Sequence, residues 1–163
     1  MGIRIALTGH TKGLGKRIFE SLSDKYEIIG FSRSNGYDIK SPVDRKKIIK
    51  ESTDCDIFIN NVHNYYHQSD LLLEFHEAWS GAKKLIICIG SKAANDNDFG
   101  KGDYRLLEYR TQKKNVITMA TNLKNSFEWP NINLYEIQEI NFEVDVSNLN
   151  KIVDIYERKI LKK

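Results

Sequence analysis

The sequence predicts a three-layer α/β fold: a mostly parallel sheet of about six strands, covered by helices on both faces, in one domain over residues 1–163. Three observations carry this expectation. Short, almost wholly apolar β-forming runs recur along the chain. Each is followed by a stretch of helical periodicity. Glycines or small polar residues stand where each run stops. Apolar runs without alternation belong to strands buried on both faces, which is how parallel sheets are covered.

Taken in order, Ile3–Leu7 reads as the first strand, followed by a glycine-rich turn and a helix from about Gly13 to Ser23. Glu27–Phe31 is a second strand, and Tyr37–Ile39 a brief extended piece. Ser41-Pro42 opens the next helix, with serine as N-cap and proline at the first helical position. Asp56–Asn60 is a short apolar strand, and a helix follows over Ser69–Trp79 with Ser69-Asp70 as its cap. Lys84–Ile89 is another buried strand. A long helix over about Asp103–Leu123, a strand over Asn131–Gln138 and a last helix over Ser147–Leu161 complete the chain. No repeat or low-complexity linker interrupts the series.

Composition narrows the function classes. Apolar residues make up 40% and charged residues 29%, the balance of a globular protein with one core. No apolar run approaches the roughly 20 residues that cross a membrane, so no membrane partner is expected. Basic residues number 25 against 22 acidic ones and are scattered, so a solvated surface is expected and no nucleic-acid partner. Cys55 and Cys88 have no Cys or His at metal-ligand spacing and read as core residues in a reducing, cytoplasmic setting. His63, His67 and His76 form no metal motif, and no metal is expected.

In a parallel sheet the ligand sits beyond the carboxyl ends of the strands, so the residues after each strand matter most. The first strand runs into Thr8-Gly9-His10-Thr11-Lys12-Gly13-Leu14-Gly15. Glycines between a strand and a helix allow a tight turn and a close approach of a pyrophosphate to the helix N-terminus, where free N–H groups and the dipole favour an anion. A plain glycine-rich loop is the bland alternative. The second strand ends in Phe31-Ser32-Arg33-Ser34, with no acidic residue to bond a ribose 2′-hydroxyl; arginine and serine suit a 2′-phosphate instead.

The Thr-Gly-x-x-x-Gly-x-Gly spacing resembles that of the short-chain dehydrogenases/reductases, and further segments extend the resemblance in family order over about residues 3 to 123. Asp38-Ile39 is similar to the family's adenine-binding pair. Asn60-Asn61-Val62-His63 is similar to its Asn-Asn-Ala-Gly signature, with His63 where the family has glycine. Ser91 matches its catalytic serine, and Tyr109-Arg110-Thr111-Gln112-Lys113 its Tyr-x-x-x-Lys pair. The resemblance implies a Rossmann fold that binds NADP. Gly9, Thr11, Lys12, Gly13, Leu14, Gly15, Ser32, Arg33, Asp38, Ile39, Asn60, Asn61, Val62, Tyr109 and Lys113 would hold the cofactor. It implies an oxidoreductase for a small carbonyl/alcohol pair. Ser91 would bond the substrate oxygen, Tyr109 would act as general acid/base, and Lys113 would favour the ionised phenol and hold the nicotinamide ribose.

The chain also departs from the family. The segment after Asn61 is short and lacks the catalytic Asn position, for which Asn64 is the nearest candidate. Residues 95–102 form a longer polar insert, either a flap over the substrate or a simple loop. No Pro-Gly follows the 131–138 strand. These departures support an alternative expectation, an NADP-binding or redox-sensing module without turnover. Leu71, Leu72, Phe75 and Trp79 on one helix face either meet a second copy in a homodimer or pack on their own sheet.

Overall fold

The computed structural model describes residues 2–124, 135–138 and 146–161. Its elements run β1 (Arg4–Thr8), α1 (Gly13–Leu22), β2 (Glu27–Phe31), α2 (Pro42–Glu51), β3 (Ile57–Asn60), α3 (His67–Ala78), β4 (Leu85–Ile89), α4 (Tyr104–Lys124), β5 (Tyr135–Gln138) and α5 (Val146–Leu161). Among the described residues the sheet has five strands, in the order β2-β1-β3-β4-β5 and all parallel. About six were expected. The difference is the Tyr37–Ile39 piece, which does not join the sheet: Tyr37 N–H turns back to Ser32 O at 2.9 Å. Residues 131–134 of the last expected strand lie outside the described residues.

Strand geometry divides the apolar residues between two cores, because successive side chains point to opposite faces. Ile57, Ile59, Leu85, Ile87 and Ile89 join Ile18 and Leu22 of α1 and Leu149, Val153 and Tyr156 of α5 on one face. Phe58, Ile86 and Cys88 join Ile48 of α2, Leu71, Leu72 and Phe75 of α3 with Trp79 at its C-terminal cap, and Val116 and Ala120 of α4 on the other. Three layers result. Phe58 and Phe75 stack with centroids 3.6 Å apart, and Trp79 meets both edge-on. All four residues of the α3 apolar face are therefore spent on their own sheet, which removes them as a surface for a second copy.

The start of α2 follows local chemistry. Ser41 Oγ accepts the Asp44 N–H at 3.2 Å, with Pro42 at the first helical position. Helix α3 instead starts two residues before the expected Ser69 cap. Gln68 and Ser69 are drawn into the helix by tertiary bonds, Gln68 to the ends of β3 and β4 and Ser69 Oγ to Asn115 of α4 at 2.7 Å.

The order of strands fixes where a ligand can sit. The chain leaves β1 for β2 on one side, then returns past β1 to β3 on the other. The crevice opens between the carboxyl ends of β1 and β3, at this reversal.

Candidate active site

The crevice is built around Thr8, the last residue of β1. Its buried Oγ1 accepts the N–H groups of Asn61 at 3.0 Å and Val62 at 3.3 Å, and Asn61 Nδ2 donates to Thr8 O at 3.1 Å. These bonds bind the segment after β3 to the end of β1. Gly9 follows at φ +76°, a conformation that favours glycine, and a Cβ there would lie 2.7 Å from Val62 Cγ2. Gly15 is required for another reason: a Cβ would lie 1.7 Å from Gly9 O. The turn closes directly on the first turn of α1. That helix has no side-chain cap and no acidic residue in its first turn, which leaves its N–H groups and dipole available to an anion.

A cleft of about 960 Å³ lies over this turn. Gly9, Thr11 and Lys12 line it at the α1 end, and Phe31, Ser32, Arg33 and Ser34 at the end of β2. Tyr37, Asp38 and Ile39 form the next part of the wall, and Val62, His63, Asn64 and Tyr65 the part after β3. Arg105, Glu108, Tyr109 and Gln112 of α4 complete it. Such a volume is at the upper end for small-ligand sites. An uncapped helix N-terminus, the three cations Lys12, Arg33 and Arg105, and an apolar wall of Phe31, Tyr37 and Ile39 fit a dinucleotide.

Two arrangements hold the wall. Ser32 Oγ bonds Ser34 Oγ at 2.6 Å, and Asn35 Oδ1 accepts Ser32 N–H at 2.7 Å, fixing the short turn that carries Arg33. Arg45 of α2 is buried. Its guanidinium donates to Ile39 O at 2.8 Å and to Glu74 at 3.0 Å, tying the Asp38–Ile39 segment to α3.

The expected site residues divide into two groups. Gly9, Thr11, Lys12, Ser32, Arg33, Asp38, Ile39, Val62 and Tyr109 line the cleft. Gly13, Leu14, Gly15, Asn60, Asn61, Ser91 and Lys113 do not. Ser91 is buried and its Oγ accepts the Ala93 N–H at 3.2 Å, capping a 3₁₀ turn over Lys92–Asn95. Lys113 is 3% exposed, its Nζ donating to Gln68 Oε1 at 3.0 Å and Ile89 O at 3.1 Å. Burial pulls its pKa down to about 8. Gln68 is the hub of this cluster: its Nε2 donates to Asn60 O and Ile89 O, and Asn60 Nδ2 donates to Gln68 O.

Sequence reading missed Tyr65, Arg105 and Glu108 of the wall, whereas His63 had stood out as a departure from the family's glycine. Tyr65 adopts φ 47°, an uncommon conformation for a bulky side chain, and no pattern announces it. His63 stands edge-on to the Tyr109 ring at 4.7 Å, with Phe99 on Tyr109 at 6.3 Å. Burial and the nearby Lys113 push the His63 pKa down to about 4, so the imidazole is neutral at physiological pH. Phe99 comes from the 95–102 insert. That segment packs on α4, with Asn97 accepting from Arg110 at 2.8 Å and Gly100 closely apposed to the backbone of Leu107. Among the described residues, no group of three or more His, Cys, Asp or Glu could hold a metal, and no helix is long and apolar enough to cross a membrane.

No protein-family model matches the sequence, and no curated protein matches it. Solved structures match in fold. A short-chain dehydrogenase from Burkholderia cenocepacia in complex with NADP superposes with a TM-score of 0.72 at 15% identity, covering 99% of this chain and 85% of that one. A 3-alpha-hydroxysteroid dehydrogenase from Pseudomonas, complexed with NADH, gives 0.66 at 20% identity, with 85% and 72% covered. An alcohol dehydrogenase from Thermococcus sibiricus complexed with 5-hydroxy-NADP gives 0.66 at 12%, with 86% and 77% covered. At such identities the likeness speaks for architecture, and on that evidence this chain has the Rossmann fold of the short-chain dehydrogenases/reductases.

Proposed function

We propose that this protein is an NADP(H)-dependent oxidoreductase that interconverts a small carbonyl compound and its alcohol, with Tyr109 as general acid/base. One observation carries the reading: Lys12, Arg33 and Tyr109 line a single continuous cleft at the reversal of strand order. The α1 N-terminus and Lys12 would hold the pyrophosphate, Ser32, Arg33 and Ser34 the 2′-phosphate, and Asp38 with Ile39 the adenine. Of the solved neighbours one carries NADH and another NADP, so the preference for NADP rests on Arg33 and on the absence of an acidic residue at the tip of β2.

The bound nicotinamide would supply or accept the hydride at the carbonyl carbon. Tyr109 would deliver a proton to the carbonyl oxygen, or take it back in the reverse direction, so that hydride and proton together make the alcohol. Lys113, one helical turn along α4, sits behind the wall, its Nζ bonded to Gln68 Oε1 and Ile89 O. Thr8 and the Asn61 clasp hold the phosphate turn rigid, which keeps the reacting groups in place.

Tyr109→Phe tests this. The variant is expected to bind NADPH as the parent does and to lose turnover across a panel of aldehydes and ketones. Undiminished turnover would remove Tyr109 from the mechanism. A second reading, a nicotinamide-nucleotide-binding module without turnover, is favoured by the burial of Ser91 away from the cleft. One substrate reduced at the expense of NADPH would end it.

A further inference from the structure

The contact that the family resemblance gives to Ser91 needs a donor facing the reacting oxygen beside Tyr109. Ser91 is 4% exposed, its Oγ is engaged by Ala93 N–H at 3.2 Å, and it is absent from the cleft wall. His63 is in the wall, in edge contact with the Tyr109 ring at 4.7 Å. Gln112, also in the wall, lies beside the imidazole. His63 also takes the place of a glycine in the Asn-Asn-Val-His segment, so a polar ring stands where that signature has no side chain.

We infer that His63, not Ser91, is the second group on the substrate oxygen: an imidazole nitrogen hydrogen-bonds the oxygen that Tyr109 protonates, with the ring held against Tyr109 and beside Gln112. This rests on the oxidoreductase reading above. A neutral imidazole carries one N–H donor and one acceptor nitrogen, so it can donate to a carbonyl or accept from an alcohol according to tautomer. The neutral form is the one the site maintains, since burial and Lys113 both oppose protonation. The contact with Tyr109 keeps the two groups on one side of the reacting atom, which a lone serine beneath the wall does not do.

The test uses 15N-labelled protein with saturating NADP⁺, titrated with 2,2,2-trifluoroethanol as the alcohol probe while imidazole nitrogens are followed by NMR. His63 is assigned by its disappearance in His63→Phe, a variant that keeps an aromatic ring against Tyr109. The expected result is a saturable shift of a His63 nitrogen that survives in Ser91→Ala. The loss of one hydrogen bond weakens probe binding by about tenfold in His63→Phe, and His63→Gln recovers part of it. Matching thermal midpoints for the three variants show that the fold is intact. An unmoved His63 resonance, or probe binding that weakens in Ser91→Ala and not in His63→Phe, overturns the inference while leaving nucleotide binding in place. Failure of NADP⁺ itself to bind overturns the oxidoreductase reading and this assignment with it.

Discussion

Lys113 offers a test of the site through stability alone. Its ammonium is buried between Gln68 Oε1 and Ile89 O, and its pKa falls from the ordinary 10.5 to about 8. Between these values the folded chain has released a proton that the unfolded chain retains, so unfolding free energy rises with pH. The penalty is fully present below about pH 8 and is relieved as pH climbs toward 10.5. Integrating from pH 8 to pH 9 at ~1.36 kcal/mol per proton and unit gives about 1 kcal/mol. The buried thiols work in the opposite sense. Burial pushes Cys55 up to about 11 and Cys88 up to about 12, so their contribution falls as pH passes 9. The wild-type curve alone is therefore nearly flat, and the difference from Lys113→Met isolates the lysine. Urea unfolding of both proteins at pH 8.0, 8.5 and 9.0 under reducing conditions is expected to show wild type gaining about 1 kcal/mol on the variant. Parallel profiles would mean that Lys113 titrates as a solvated side chain, and the account of its burial would fall.

Other expectations follow from the same geometry. Gly15→Ala forces a methyl to within 1.7 Å of Gly9 O and is expected to cost about 3 kcal/mol or more, with loss of NADPH binding, read by denaturation and by titration. Phe75→Ala leaves the face of Phe58 uncovered and is expected to cost about 3–5 kcal/mol in chemical denaturation. Arg45→Ala frees the Ile39 carbonyl and strands Glu74, costing about 2 kcal/mol because Glu74 is partly solvated. The same variant is expected to weaken adenosine 2′,5′-bisphosphate more than nicotinamide mononucleotide in calorimetry.

The layers were legible because a two-sided parallel strand leaves an unambiguous trace. Ile57-Phe58-Ile59 and Leu85-Ile86-Ile87 are apolar on every residue since both faces are covered. The glycine turn was legible in part for a similar reason: the positive φ of Gly9 and the approach of Gly15 to Gly9 O arise within the turn, although Val62 also crowds Gly9 from across the sheet. Three features were not. The start of α3 was read two residues late, because the bonds that draw Gln68 into the helix reach 8 to 45 residues away. Whether Leu71, Leu72, Phe75 and Trp79 met their own sheet or a second copy was open, since an apolar helix face does not name its partner. The Ser91 side chain was expected in the cleft from its position after β4. It turns instead to cap the following 3₁₀ turn, a choice between the nearby Ala93 N–H and a distant ligand that residue type alone does not decide.

The most direct test of the central claim is titration of the purified protein with NADPH and with NADH, followed by nicotinamide fluorescence, for wild type and Arg33→Ala. The account predicts that wild type binds NADPH more tightly than NADH and that Arg33→Ala weakens NADPH by about tenfold or more, the loss of a charge-assisted bond, leaving NADH unchanged. Binding of neither nucleotide, or equal binding of both with no response to Arg33→Ala, would contradict it.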